Sequence, residues 1–268
     1  MQVLLGNKSD ISRLQRSASG AMGAPLSYGA TAHFNVASLP GLGELGDTIA
    51  KTCLAHCEGD RDALETWFGV SVPHFNIIIA PLSSTLNGTG GAYHATCSTA
   101  DLYCDAQLVP VLNAPRTCAL AFAEMVEVYE ATQAGGWDCG ASNGEGLSRV
   151  LASERYPGVM DDYAVAPAWL DGYRPDYVNA TAHTDRDPIA TGCSVLFLNY
   201  LHYVLKYGWD RICQSPASTL TGTYRRLTGD PGDPYPKFRS LLDSMFPIGQ
   251  LSKLTSDSPW KPARVLDV

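Results

Sequence analysis

Charge is what this sequence has least of. Only 17% of its 268 residues are charged, the formal net charge is −8, and no cluster of lysine or arginine occurs along the chain. A nucleic-acid partner requires a basic stripe to meet the phosphates, so that class is excluded. Long apolar runs are missing as well. None reaches the roughly 18–20 residues of a membrane span, so no membrane partner is expected. The opening stretch MQVLLGNKSDISRLQRS has no basic segment followed by an apolar one, and no secretion signal is legible in it. There is no CxxC pair and no Cys/His spacing of a zinc finger. The glycine-rich NGTGG (87–91) lacks the Lys-Ser/Thr of a phosphate loop and the spacing of a dinucleotide loop, so it is expected to be a turn.

What is present is a globular composition, with 45% hydrophobic residues. The length suits one domain of two lobes. Eight cysteines form an even set that permits disulfides without fixing a pairing, and their number leans toward an exported protein. After a Ser/Gly/Ala-rich lead-in (1–28), the chain reads as a strand at 30–38, a helix at 43–57 and a further helical turn or two capped by Asp60 and stopped by Gly69. A wholly apolar strand at 74–82 and one or two short strands within 92–106 follow. Pro115 suits the first turn of a helix that runs to Gly135-Gly136, and a second helix starts near Ser142. Residues 156–190 read as irregular, 192–208 as an apolar helix, and three short helices complete the chain. The expected class is α+β, with a first lobe (29–136) of mixed sheet and helices and a mainly helical second lobe (137–268).

The chemistry concentrates in AFAEMVEVYEA (121–131). Glu124 and Glu127 lie ~60° apart on one face of a helix that is otherwise apolar nearly all round. Burying an ionised carboxylate costs several kcal/mol unless it is paired, protonated or metal-bound. Two adjacent carboxylates raise one another's proton affinity, which is how a general acid or base is made. The structural alternative is a pair of ion pairs with Arg149 or Arg155. Glu130, further round the helix, is expected in solvent. Glu145 in SNGEGLS fits a capping box with Ser142, or else points back toward Glu127. His94, beside the sheet edge, is the best histidine for ligand contact, and Trp169, Tyr173 and Tyr177 are candidates to line a substrate groove. His183, Asp185 and Asp187 read as a polar loop, and His202 as a hydrogen-bonded core histidine.

This order of elements resembles the zincin metallopeptidase fold, in its glutamate-ligand branch. Residues 43–57 resemble the backing helix, 74–105 the sheet with its edge strand, AEMVE (123–127) stands where HExxH would, and NGEGLSR (143–149) where the third-ligand helix would. The resemblance covers about residues 30–205. It implies a general base at Glu124 and a ligand position at Glu145. Ala123 and Glu127 stand where the two zinc histidines would be, so the resemblance implies a scaffold whose zinc site is lost or rebuilt. No zinc cofactor is expected; an all-carboxylate set suits a hard divalent cation such as calcium, magnesium or manganese. Two functions follow: a non-zinc hydrolase or lyase with Glu124, Glu127 and Glu145 as its catalytic set, or an inactive binding or structural protein. The ligand in either case would be a small molecule, peptide or glycan.

Overall fold

A computed structural model describes residues 26–80, 91–106, 113–184 and 186–261. Its sheet has five strands in the order β1-β2-β3-β5-β4: β1 (Leu26–Ala30), β2 (Phe34–Ser38), β3 (Phe75–Ala80), β4 (Ala92–Tyr93) and β5 (Asp101–Asp105). The two outer pairs, β1–β2 and β4–β5, are antiparallel, while β2, β3 and β5 run parallel. The class is thus α+β with a mixed sheet. β3 is the central strand, and this explains its composition. Both its faces are covered, so Phe75-Asn76-Ile77-Ile78-Ile79-Ala80 is apolar nearly without alternation. Ile77 and Ile79 enter the main core, whereas Ile78 and Ala80 pack with Leu39 and Tyr93 on the opposite face.

Parallel β2 and β3 need a crossover, which α1 (Gly43–Phe68) supplies. Sequence reading divides this segment at Asp60; the structure makes it one helix of 26 residues. Asp60 is buried inside the helix and caps nothing. Arg155 Nε donates to it at 2.7 Å and Tyr156 Oη at 2.5 Å, so a tertiary ion pair replaces the helix break that its side chain suggests. The stop at Gly69 is where the sequence puts it, with φ of 69° in the left-handed region. The single strand expected at 30–38 is a hairpin, β1–β2, that begins at Leu26, inside the stretch expected as lead-in. Residues 1–25 lie outside the described chain, as do 87–90 of the glycine-rich turn and Asp185.

The next two helices carry the candidate site. α2 (Asn113–Thr132) packs on α1, on β4 and β5, and on α3 (Ser142–Arg155). This central position accounts for its apolar circumference. Pro115 lies in its first turn, and Gly135, with φ of 73°, follows its end. α3 is itself covered by α5 (Pro188–Asn199), which also packs on α4 (Ala166–Leu170). α4 and a short 3-10 turn at Asp161–Tyr163 lie within the stretch expected to be irregular. The apolar helix expected at 192–208 starts at Pro188, changes to a π-turn at Tyr200–Val204 and ends there. α6 (Trp209–Cys213), α7 (Leu220–Thr228) and α8 (Tyr235–Met245) complete the second half. One continuous apolar core runs from Phe34 of the sheet to Leu242 of α8. No helix among the described residues is long and apolar enough to cross a membrane.

Candidate functional site

Glu124, Glu127 and Glu130 recur every three residues along α2, each ~60° from the last. The row therefore winds from the sheet edge toward α3. Glu124 and Glu127 meet His94, which directly follows the edge strand β4. His94 Nε2 is 2.9 Å from Glu127 Oε2 and 3.7 Å from Glu124 Oε2. The first distance is a hydrogen bond and the second is a charge contact. On its other side, His94 Nδ1 lies 3.3 Å from the carbonyl oxygen of Thr99. A carbonyl only accepts, so this contact suits the tautomer with a proton on Nδ1. Nε2 faces the Glu127 and Glu124 carboxylate oxygens. All three side chains are almost sealed: 5% exposed for His94, 11% for Glu124 and 9% for Glu127. Cys104 of β5 is fully buried near Glu124, and burial, then the Glu124 charge, pushes its thiol well above the ordinary range.

Glu130 is expected in solvent and is instead the most buried carboxylate of the row, 1% exposed. Neither of its oxygens has a hydrogen-bond partner among the described residues. Burial, followed by the charges of Glu127, Glu145 and Asp138, pushes its carboxyl well above the usual carboxylate range. The consistent state is the neutral acid. The solvent assignment fails because the helix is covered on that side by α3, which a helical wheel of α2 alone does not show.

The NGEG stretch is built for this approach. A Cβ on Gly144 would lie 2.6 Å from Glu130 Oε2 and 2.2 Å from the carbonyl oxygen of Asp138. A Cβ on Gly146 would meet Ser194 Cβ at 2.6 Å. The two glycines thus let α3 sit between α2 and α5. Glu145, between them, is 6% exposed and joins the group through Glu130, with Arg149 Nε 3.9 Å from its Oε2. Arg155 is committed to Asp60, so it is not the partner considered for the helix glutamates.

The expected capping box does not form. Ser142 is the first residue of α3, Ala141 is the N-cap, and the Ser142 hydroxyl accepts from Ala182 N–H at 3.1 Å. The Ser142 N–H donates to the Ala182 carbonyl, so residue 182 takes over the satisfaction that Glu145 was expected to provide. Ser142 also stands in a G-x-S-x-G spacing, Gly140-Ala141-Ser142-Asn143-Gly144. It is not a nucleophile elbow, which needs a strand leading into an exposed serine. A turn precedes it and its side chain is buried.

Trp169 and Tyr173 do not share a surface. Trp169 is fully buried, stacked on Phe238 at 5.8 Å with its Nε1 donating to the Pro175 carbonyl, while Tyr173 is 100% exposed. Asp187 caps α5 by accepting from Ile189 N–H. His202 Nδ1 lies 2.8 Å from the Tyr207 carbonyl and its ring stacks on Trp209, as a core histidine does.

The residues that sequence reading left unassigned are Cys97 and Cys139. They form a disulfide that ties the turn after β4 to the loop before α3. His94 and Cys97 sit three apart in one turn and Asp138-Cys139 lies just beyond α2, so the bond closes over the carboxylate row. Two groups of three metal-ligating side chains occur among the described residues: His94, Glu127 and Cys139, and Cys97, Asp138 and Cys139. Ala123, at the first zinc-histidine position of the resemblance, offers no ligand; the nitrogen nearest Glu127 comes from the sheet edge. Compared with protein-family models and with curated proteins, the chain matches none.

Proposed function

We propose that the protein is a hydrolase or lyase on a zincin-like scaffold, with proton transfer by His94, Glu124 and Glu127 and with Glu124 as general base. The observation that carries this is the convergence of one imidazole and two carboxylates in a nearly sealed setting, with His94 Nε2 2.9 Å from Glu127 and 3.7 Å from Glu124. In such surroundings a positioned acid–base group transfers a proton at low reorganisation cost. Glu127 orients the ring and shares its proton, and Thr99 holds Nδ1. Glu124 takes a proton from an attacking water or from the substrate carbon. His94 returns one to the leaving group. Glu145 and the neutral Glu130 form the acidic wall behind. The substrate is a small molecule, peptide or glycan.

The test is a panel of chromogenic esters, peptides and glycosides given to wild type and to Glu124→Gln. Turnover by the wild type that falls by roughly 10²–10⁴-fold in the variant is the expected result, the range typical of a positioned acid–base group. Wild-type turnover unaffected by the variant would remove Glu124 from the mechanism.

A second reading, an inactive binding or structural protein on the same scaffold, is favoured by one observation. The site side chains are only 5–11% exposed, which leaves little surface for a substrate. An inert wild type across the panel, with a Glu124→Gln variant of unchanged melting temperature, would favour this second reading.

A further inference from the structure

The two candidate ligand groups have a member in common, and that member is locked. Cys139 belongs to both the His94/Glu127 group and the Cys97/Asp138 group, and its sulfur is held in the bond to Cys97. With the bond closed, the first group has one nitrogen and one carboxylate left, which is fewer than the three or four ligands a zinc site needs. The geometry points to a redox-gated zinc site: reduction of the Cys97–Cys139 disulfide releases the Cys139 thiol, which completes with His94 and Glu127 a three-ligand site of one nitrogen, one oxygen and one sulfur, with the fourth position open.

Three features of the chain support zinc over a hard cation. Thiolate and imidazole ligands select zinc, whereas calcium and magnesium take oxygen. His94 Nδ1 faces the Thr99 carbonyl, the outer-shell bond that fixes the ring of a metal-binding histidine and presents Nε2. The ligand atoms of His94, Glu127 and Cys139 already lie within 4.8 Å of one another. Around a tetrahedral zinc with bonds of about 2.0–2.3 Å they would stand roughly 3.3–3.8 Å apart. Small side-chain movements close the difference, and the present 2.9 Å contact of His94 with Glu127 opens slightly to admit the ion.

The chemistry balances with a dithiol as reductant. Its two thiols supply two electrons and two protons, and it leaves as a cyclic disulfide; Cys97 and Cys139 become thiols. Zinc then displaces the Cys139 proton, and any proton on His94 Nε2, to solvent, while Cys97 stays a thiol. Reoxidation of the Cys139 thiolate with the Cys97 thiol by a disulfide-bearing oxidant, which leaves as two thiols after taking up the Cys97 proton and one from solvent, expels the ion.

The inference stands apart from the proposed catalysis, because metal uptake is measured without any substrate. The full chain is prepared oxidised, and a second portion is reduced with dithiothreitol and freed of it under argon. Zinc binding is read by competition against a chromogenic chelator. The expected result is one zinc per chain after reduction and none before, with release on reoxidation. His94→Ala should weaken binding by more than about 100-fold, beyond the 10–100-fold cost of losing an outer-shell partner. If that variant does not fold, Glu127→Gln and Cys139→Ala carry the same expectation, with folding checked by circular dichroism. The six other cysteines are free and buried. No uptake by the reduced chain, equal uptake by the oxidised chain, or binding that survives the folded ligand variants would overturn the assignment.

Discussion

Replacing Glu130 by glutamine tests the electrostatics of the site directly. The wild-type carboxyl is 1% exposed and its oxygens find no hydrogen-bond partner among the described residues. Burial and the neighbouring acids raise its proton affinity in the folded state. In the unfolded chain the group titrates at an ordinary value, about 4.3. Above that pH the unfolded chain has lost the proton and the folded chain retains it. The folded state then binds more protons, so wild-type stability falls as pH rises, and continues to fall until the folded carboxyl itself ionises. The slope from this one group approaches about 1.4 kcal/mol per pH unit. Glutamine has nearly the same shape and no charge to lose. Urea unfolding of both proteins, followed by tryptophan fluorescence at pH 5, 6, 7 and 8, measures the difference. The variant should match the wild type within ~1 kcal/mol at pH 5 and gain on it steadily above. Asp60 and Asp257, also raised by burial, tilt both curves alike and cancel in the comparison. Parallel curves across this range would refute a neutral buried acid at position 130.

Four other outcomes are expected. Gly144→Ala should destabilise by roughly 3 kcal/mol in urea, because its Cβ would lie 2.2 Å from the Asp138 carbonyl oxygen and the gain in helix propensity is smaller than that clash. Asp60→Asn should cost about 2 kcal/mol by the same measurement, below the value for a fully buried pair since the Arg155 side chain is 35% exposed. Joint replacement of Cys97 and Cys139 by serine should lower stability by about 3–4 kcal/mol through the 42-residue separation the bond spans, and thermal melts with and without dithiothreitol should then coincide. Glu124→Gln should fold normally and melt within a few degrees of the wild type at pH 7; a large loss at pH 7 that vanishes at pH 5 would identify a structural ion pair instead.

The local sequence by itself marked most of the longer elements, though not the β1–β2 hairpin, the unbroken α1 or the short α4. Helical periodicity marked α1, Pro115 with Gly135 and the start near Ser142 marked α2 and α3, Gly69 marked a helix end, and the largely apolar run of β3 marked a strand. It also singled out Glu124, Glu127 and His94, because carboxylates in an apolar helix and a histidine beside a sheet edge are locally unusual. What it left undecided depends on contacts between residues far apart in the chain. Asp60 reads as a cap until Arg155, ninety-five residues on, is seen to neutralise it. Glu130 reads as solvated until α3 is laid across it, and Gly144 acquires its meaning only from that crossing. The Cys97–Cys139 pair, and with it the shared ligand position at Cys139, follows from the edge hairpin folding over the end of α2. Helical and strand periods are properties of a few consecutive residues, so one sequence carries them. Burial, partnership and ligand convergence are properties of packing, and only the tertiary structure brings the two sides of each contact together.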